Sequence, residues 1–341
     1  MRNFILRDEN AIYAQCGYSC DNAIFLSING RKFFLTDARY AIEARELAKG
    51  CDVVEIERSL IKDTRLFLRK KGVKKIDFNP LDFSYGAFSE LSKNLGINFT
   101  PKPNFSQISR MIKSEDEIKI LKEAATLGAK CFNEFALFVR QNGDGMSEEE
   151  LFFNAELIFK QRGELELSFS PIVAINENAA KAHALPSKKK LRHGDLLLLD
   201  AGVKFKRYCS DRTRTACFDE NFNFSKEQNF KNSKHQEIYE IVKEAQILAI
   251  KAVQIGKKAC EIDAAAREFI AKQGFGKQFF HSTGHGVGLD IHELPFISAR
   301  SNEIIKEGMV FSVEPGIYIE GEFGVRIEDV VVVRQDGAEI L

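Results

Sequence analysis

The strongest constraint on the fold comes from two segments that each predict a β-hairpin with opposed acidic residues: 196–215 and 313–330. In the first segment, a turn centred between residues 205 and 206 pairs Asp200 with Asp211. Their Cβ atoms would lie about 5 Å apart, where like charges destabilise a sheet. A metal ion between the two carboxylates is the simplest way to remove this repulsion, so the hairpin predicts a metal site.

The second segment predicts another pair of opposed carboxylates. With its turn centred on Gly321, Glu314 pairs with Glu328. Because strand side chains alternate between faces, Tyr318 and Arg326 fall on the same face as this pair. A bulge in either hairpin would change these registers.

Three of the six histidines lie between the hairpins in a glycine-rich segment: His281, His285 and His292. The first two have the spacing of the H-E-x-x-H zinc motif, but Ser282 stands where that motif requires Glu. A single histidine is usually an ordinary core or loop side chain. Three of them beside four carboxylates instead predict a metal centre.

The N-terminal third of the chain predicts a small α/β domain. Asn29-Gly30 between apolar runs is a strong hairpin signal, and Asp37 and Ser59 are typical residues for beginning a helix. Strands and helices alternate to about residue 96 before a proline-containing segment interrupts the pattern. We therefore expect a domain over 1–113.

The remaining residues, 114–341, predict an α+β domain. Ser114 and Ser147 each begin a capping box in front of a periodic helix. Two further helices are expected over 235–253 and 262–273, and antiparallel strands and glycine-bearing turns separate the helices.

Composition narrows the class of partner and the compartment. Lys and Arg total 49 and so do Asp and Glu, so the zero formal charge disfavours nucleic acid as a main partner. The longest aliphatic run, 196–199, is far shorter than the ~20 residues of a membrane span. The N-terminal apolar stretch is too short for a signal peptide, and seven scattered cysteines favour reduced thiols. We expect a cytoplasmic protein that binds neither nucleic acid nor membrane.

The five candidate ligands stand in characteristic contexts, in the order Asp200, Asp211, His285, Glu314 and Glu328. With the motifs LLLLDAG, SDRTRT, HSTGHGVGL, HELP, VEPGIYI and GVRIED, this sequence resembles the pita-bread metallopeptidases, the family of aminopeptidase P, prolidase and methionine aminopeptidase. The N-terminal LTDARY is typical of the branch that contains aminopeptidase P, prolidase and creatinase. The resemblance covers nearly the whole chain. It implies an α/β N-terminal domain, a pita-bread catalytic domain and a homodimer.

The resemblance also implies a ligand set for two divalent metal ions. Asp200 would bind one ion, His285 and Glu314 would bind the other, and Asp211 and Glu328 would bridge them. Mostly oxygen donors favour Mn²⁺, and Co²⁺, Fe²⁺ or Zn²⁺ also fit such a site.

By the same resemblance, Glu314 would accept a proton from the attacking water. His183 and His292 would hydrogen-bond the substrate and its developing oxyanion. His281 would line the pocket, and Tyr318 and Arg326 would contact or orient the substrate. Ala182 precedes His183 where family members commonly have proline.

Several functions are known within this fold. The additional N-terminal domain and Arg326, where that branch usually has Thr, disfavour methionine aminopeptidase. Creatinase and non-catalytic peptide-binding modules of this fold lack the metal ligands. Aminopeptidase P and prolidase both cleave the bond before proline. We expect an Xaa-Pro aminopeptidase acting on peptides with proline at the second position, with the Xaa-Pro dipeptidase prolidase as the alternative.

Overall fold

The computed structural model describes residues 2–341 of the chain. The chain divides into two compact units, one ending at Arg110 and the other extending from Met111 to Leu341. The boundary expected from the sequence was after residue 113.

The first unit contains one six-stranded mixed sheet with the strand order β4-β3-β2-β1-β5-β6. Its strands are β1 Phe4–Leu6, β2 Ala23–Ile28, β3 Arg31–Asp37, β4 Asp52–Ile56, β5 Lys75–Phe78 and β6 Asn98–Pro101. Its helices are α1 Glu9–Cys16, α2 Ala38–Leu47, α3 Leu60–Lys70, α4 Tyr85–Ser92 and α5 Phe105–Arg110. The predicted α/β class is confirmed.

Local signals explain the elements of this unit. Asn29 and Gly30 have φ of 50° and 83° and form the two-residue turn between β2 and β3. The side chain of Asp37 accepts a hydrogen bond from the Arg39 amide, and Ser59 accepts one from the Lys62 amide, so both residues cap helices as predicted.

The second unit contains four long helices and several short sheets. Its helices are α6 Glu115–Asn142, α7 Glu148–Phe159, α8 Ser233–Ala252 and α9 Ala259–Lys272. Its strands are β7 Glu166–Leu167, β8 Ile172–Ile175, β9 Leu196–Ala201, β10 Val203–Phe205, β11 Tyr208–Cys209, β12 Arg212–Cys217, β13 Gly284–Gly286, β14 Glu293–Ile297, β15 Val310–Val313, β16 Gly316–Ile319, β17 Phe323–Arg326, β18 Asp329–Arg334 and β19 Gly337–Ile340. The sheets have the orders β12-β9-β8, β11-β10-β7, β14-β13-β15-β18-β19 and β16-β17.

Both predicted capping boxes are present. The Ser114 hydroxyl accepts from the Glu117 amide while the Glu117 carboxylate accepts from the Ser114 amide, and Ser147 and Glu150 do the same at α7. Helices α8 and α9 begin at Ser233 and Ala259, slightly earlier than the periodic pattern indicates.

The leucine run of β9 is buried on both faces. Leu196 and Leu198 pack in the hydrophobic core that contains α8 and α9, whereas Leu197 and Leu199 pack in the core that contains α6 and α7. Because side chains alternate, the next residue, Asp200, shares the face of Leu196 and Leu198. Burial on both faces explains why this strand is continuously apolar until its carboxylate.

No helix within residues 2–341 is long and apolar enough to cross a membrane.

Candidate active site

The first hairpin has a different register from the predicted one. Asp200 lies opposite Thr213, and Lys206 and Arg207 form the turn with φ of 47° and 72°. The predicted pairing of Asp200 with Asp211 was therefore wrong, by two residues. A two-residue shift keeps side chains on their original face, so both carboxylates still line one cavity.

The second hairpin has the predicted register. Strand β15 pairs with β18 and β16 pairs with β17 in one continuous alignment, and Glu314 and Glu328 lie opposite each other between the two ladders. There the Glu314 amide donates to the Thr283 carbonyl at 2.8 Å. The Glu328 amide donates to the Thr213 carbonyl at 3.1 Å, which ties the second hairpin to the first.

Two glycines, Gly284 and Gly286, position His285 in the site. A Cβ on Gly284 would clash with the Ser312 carbonyl, and one on Gly286 would clash with the Leu294 carbonyl. The pairing of β13 with β14 shifts between His285 and Gly286, which marks an irregularity of the ladder beside the imidazole. The close strand approach explains why glycine flanks this histidine.

The predicted metal ligands converge on one another. Nε2 of His285 lies 3.3 Å from Oε1 of Glu314 and 3.6 Å from Oδ2 of Asp211. Ligand atoms of Asp211, His285 and Glu328 all lie within 4.8 Å of one another. Nδ1 of His285 donates to the Gly286 carbonyl at 3.1 Å, which leaves Nε2 with a lone pair toward the carboxylates.

Three of the four carboxylates have an oxygen that accepts a hydrogen bond from a neighbouring side chain. Thr213 Oγ1 donates to Oε2 of Glu328 at 2.6 Å, and Ser312 Oγ donates to Oε1 of Glu314 at 3.2 Å. Oδ2 of Asp200 accepts from Arg326, whereas its Oδ1 is buried with no hydrogen-bond partner among the described residues.

This donor set fits divalent metal ions. An unpartnered buried carboxylate oxygen is costly unless a cation faces it. Four carboxylates and one imidazole nitrogen form the oxygen-rich set that suits Mn²⁺ and related ions.

Burial and mutual repulsion change the acidity of these groups. Burial, together with the neighbouring carboxylates, raises the pKa of Asp211 and of Glu328 well above the usual values. Burial raises the pKa of Glu314 to about 7. Burial lowers the pKa of His285. Without added positive charge, the site therefore favours protonated carboxyl groups and a neutral imidazole.

A cavity of about 620 Å³ opens onto the carboxylates and is lined by all five predicted metal ligands and by His183, His281, His292 and Arg326. Tyr318 is not part of this wall. Its hydroxyl accepts from Arg326 Nη1 at 2.8 Å and donates to His281 Nε2 at 2.9 Å. His281 Nδ1 donates to the Ser282 carbonyl, and burial lowers the pKa of His281 to about 4.

The other two predicted substrate-contacting histidines lie at the cavity surface. The His292 ring centroid is 4.3 Å from that of His285, and burial lowers the pKa of His292. His183 is exposed and reaches the cavity from the segment that follows β8. Both imidazoles therefore face the space beside the carboxylates.

Sequence reasoning missed several parts of the site. Thr213 accepts a hydrogen bond from Arg326 Nε at 3.0 Å while it donates to Glu328, and its alternation with Asp211 could have revealed that it shares the same face. Apolar side chains that form much of the cavity wall carried no sequence signal: Phe152, Phe169, Pro171, Ile172, Leu185, Ile291 and Phe296.

Comparison with known proteins gives a consistent assignment. The model of metallopeptidase family M24 matches residues 119–335. The Xaa-Pro dipeptidase of Pyrococcus horikoshii is 34% identical over 297 residues, which are 87% of this chain and 80% of that protein.

Solved structures agree over the full length. The Xaa-Pro dipeptidase from Bacillus anthracis has a TM-score of 0.91 at 34% identity and covers 99% of this chain and 92% of its own. The X-Pro aminopeptidase from Thermotoga maritima has a TM-score of 0.87 at 31% identity and covers 100% of this chain and 95% of its own. The chain therefore belongs to metallopeptidase family M24 and has the pita-bread fold of its catalytic domain.

Proposed function

We propose that this protein is an Xaa-Pro aminopeptidase that removes the first residue from peptides with proline at the second position. Family membership supports a metal-dependent hydrolase, and the similar proteins include both an Xaa-Pro dipeptidase and an X-Pro aminopeptidase. The choice between these two activities rests on the cationic groups in the cavity.

Arg326 decides between the two activities, because its guanidinium already donates hydrogen bonds to other groups of the protein. Nε donates to Thr213, Nη1 donates to Tyr318 and to the Ala182 carbonyl, and Nη2 donates to Asp200. Among the described residues that line the cavity, no other lysine or arginine is present. A dipeptide places its free carboxylate next to the proline and needs a cation there, whereas a longer peptide has an uncharged amide at that position. Because the guanidinium is occupied by these hydrogen bonds, the cavity favours longer peptides over dipeptides.

The size and chemistry of the cavity agree with this preference. A volume of about 620 Å³ lies within the range of sites that enclose drug-sized ligands, roughly 300–1,000 Å³. Apolar side chains such as Phe169, Ile172 and Phe296 suit a proline ring and its apolar neighbours.

The proposed metal ligands are Asp200, Asp211, His285, Glu314 and Glu328. These residues would hold two divalent ions, Mn²⁺ by preference, and the ions would supply activation of water and polarisation of the scissile carbonyl. The chain supplies the remaining chemistry. Glu314 accepts the proton of the attacking water, a role that suits a carboxylate held beside the other ligands by the Ser312 hydroxyl.

Three imidazoles line the substrate cavity in this proposal. His183 and His292 donate hydrogen bonds to the substrate carbonyl as negative charge develops on its oxygen. His281, held neutral and oriented by Ser282 and Tyr318, lines the pocket beside them. The chain of hydrogen bonds from Arg326 through Tyr318 fixes this imidazole.

The test compares Ala-Pro, Ala-Pro-Ala-Ala and Ala-Ala-Ala-Ala as substrates of the Mn²⁺-loaded protein, with products identified by mass spectrometry and Asp211→Ala as the inactive control. Release of alanine from Ala-Pro-Ala-Ala, lost in the variant, is the expected result. Cleavage confined to Ala-Pro would identify a dipeptidase instead. No cleavage of any peptide by metal-loaded protein would contradict both activities and favour the peptide-binding alternative.

The expected homodimer, the preference for Mn²⁺ and the cytoplasmic location stay predictions. Light scattering coupled to size-exclusion chromatography and metal analysis of purified protein test the first two.

A further inference from the structure

Helix α8 directs one fully buried polar side chain, Gln246, toward the second hairpin. Its Nε2 lies 3.1 Å from the carbonyl oxygen of Val313 and 3.3 Å from that of Ile327. These carbonyls belong to the residues directly before Glu314 and Glu328. One amide therefore reaches both strands next to the two opposed glutamates.

The hairpin needs such a donor at this point. The amides of Glu314 and Glu328 donate away from each other, to the carbonyls of Thr283 and Thr213. This is the ordinary geometry of a non-hydrogen-bonded pair in an antiparallel arrangement, and the adjacent pair, Pro315 and Ile327, is the one whose backbone groups face each other. The Ile327 amide lies 3.5 Å from the Pro315 carbonyl, but Pro315 has no N–H to donate to the Ile327 carbonyl, and the Gln246 amide from α8 supplies that donor.

The orientation of the amide is determined by a buried charge network. Oε1 of Gln246 accepts from Lys226 Nζ at 2.9 Å, and Nε2 lies 3.1 Å from Oδ2 of Asp329. Asp329 is held in turn by Lys226 at 2.5 Å and by Arg214 Nη2 at 2.6 Å. A lysine on the oxygen side and three acceptors on the nitrogen side leave only one arrangement of this amide.

We propose that Gln246 is a positioning residue that sets the separation of the Glu314 and Glu328 carboxylates and thereby the affinity for divalent metal ions. The inference rests on the proposed assignment of both glutamates as metal ligands. Partners outside the ligand set hold ligands in a geometry that the metal requires, and their loss typically lowers metal affinity by roughly 10–100-fold. Gln246 acts through the carbonyl groups of the residues that directly precede both ligands.

The experiment measures Mn²⁺ binding to chelator-treated protein by isothermal titration calorimetry. Gln246→Met keeps the length of the side chain and removes the donor. We expect its Kd for Mn²⁺ to rise roughly 10–100-fold. With Mn²⁺ kept subsaturating, kcat for Ala-Pro-Ala-Ala falls while KM stays within about twofold.

Tyr239→Phe is the matched control on the same helix. Tyr239 is also fully buried, and its hydroxyl donates to the Lys226 carbonyl at 3.1 Å. This variant loses one part-buried hydrogen bond and retains the wild-type Kd for Mn²⁺ if α8 acts on the metal site through Gln246.

A folded Gln246→Met protein with the wild-type Kd for Mn²⁺ overturns the inference. If that variant does not fold, Lys226→Met replaces it, because it removes the partner that orients the amide while the amide itself stays. A Kd for Mn²⁺ several-fold above wild type supports the inference, and an unchanged Kd overturns it. Glu314→Gln is measured in parallel: if it binds Mn²⁺ as wild type does, the proposed ligand set fails, and not only the role of Gln246.

Discussion

Arg326 on β17 donates a 2.7 Å hydrogen bond from Nη2 to Oδ2 of Asp200 on β9, and the two side chains are only 3% and 12% exposed. The contact links the two hairpins that carry four of the five predicted metal ligands. It also offsets negative charge in a cavity whose other described lining residues include no lysine or arginine.

Removal of this guanidinium should strongly destabilise the metal-free protein. Arg326→Met leaves the Asp200 carboxylate buried beside three other carboxylates without its cation. Breaking one side of a buried pair costs about 3–5 kcal/mol of unfolding free energy. Urea unfolding in the presence of a chelator measures the loss. Lys234→Met, which removes an exposed pair with Glu322, serves as the control and should change stability by less than about 1 kcal/mol. If Arg326→Met also lowered the unfolding free energy by less than about 1 kcal/mol, the prediction would be contradicted.

The stability of the metal-free protein should fall as pH rises from about 6.5 to 8. Burial raises the pKa of Asp211, of Glu328 and, to about 7, of Glu314, so the native state binds more protons than the unfolded chain in this range. The buried histidines have lowered pKa values, so they change the stability only below about pH 6.5, where histidine in the unfolded chain becomes charged.

Thermal unfolding measured at several pH values, with EDTA or with Mn²⁺, tests this pH dependence. With EDTA, Tm decreases between pH 6.5 and 8, and Asp211→Asn makes the decrease smaller. With Mn²⁺ the stabilisation grows with pH, because metal binding requires deprotonated ligands. An EDTA curve that rises over this interval would show that the carboxyl groups are not protonated in the native state.

Lys113 and Glu293 form a second buried pair, with Nζ 2.5 Å from Oε1 and both side chains only 1% exposed. Glu293 directly follows His292, so the pair anchors the beginning of β14 next to a predicted substrate-contacting histidine. Lys113→Met should lower the unfolding free energy by about 3–5 kcal/mol. The double variant Lys113→Met with Glu293→Leu should recover part of this loss, since no buried carboxylate then lacks its ammonium.

The matched control is Lys122→Met. Lys122 and Glu339 are also 2.5 Å apart, but both side chains are 41% exposed, so this change should cost less than about 1 kcal/mol. Equal losses for Lys113→Met and Lys122→Met, measured by urea unfolding, would mean that burial does not determine the contribution of these pairs.

Tyr318→Phe should destabilise the protein by about 1–3 kcal/mol, since it removes a hydroxyl that bonds Arg326 and His281 inside the protein. Tyr208→Phe removes a hydroxyl bonded to the part-buried Glu117 carboxylate and should cost less. Chemical unfolding of both variants measures the difference. A Tyr318→Phe protein as stable as wild type would indicate that water replaces the hydroxyl.

Much of the fold was predictable because its signals act over short distances in the chain. The Asn29-Gly30 turn, the capping boxes and the register of the second hairpin all depend on neighbouring residues or on one turn, and Gly321 with φ of 76° determines that turn. The predicted register of the first hairpin was wrong because its turn residues, Lys206 and Arg207, adopt positive φ without the usual glycine or asparagine.

Residue types and their spacing predicted most of the residues with functional groups that line the cavity. Every predicted metal ligand and every predicted site histidine lines it, and only Tyr318 among the predicted site residues lies behind its wall. Spacing also indicated that paired carboxylates need a cation. The sequence by itself therefore determined many of the elements, the fold class and the group of residues that meet at the carboxylates.

The partners that hold those residues were decided only by the tertiary structure. Gln246 contacts Val313 and Ile327, and Lys113 contacts Glu293, across long stretches of chain with no local pattern that links them. The commitment of Arg326 to Asp200 likewise depends on how one hairpin packs against the other. Helix caps and turns involve atoms a few residues apart, whereas these contacts exist only after α8 and the two hairpins pack together and exclude water.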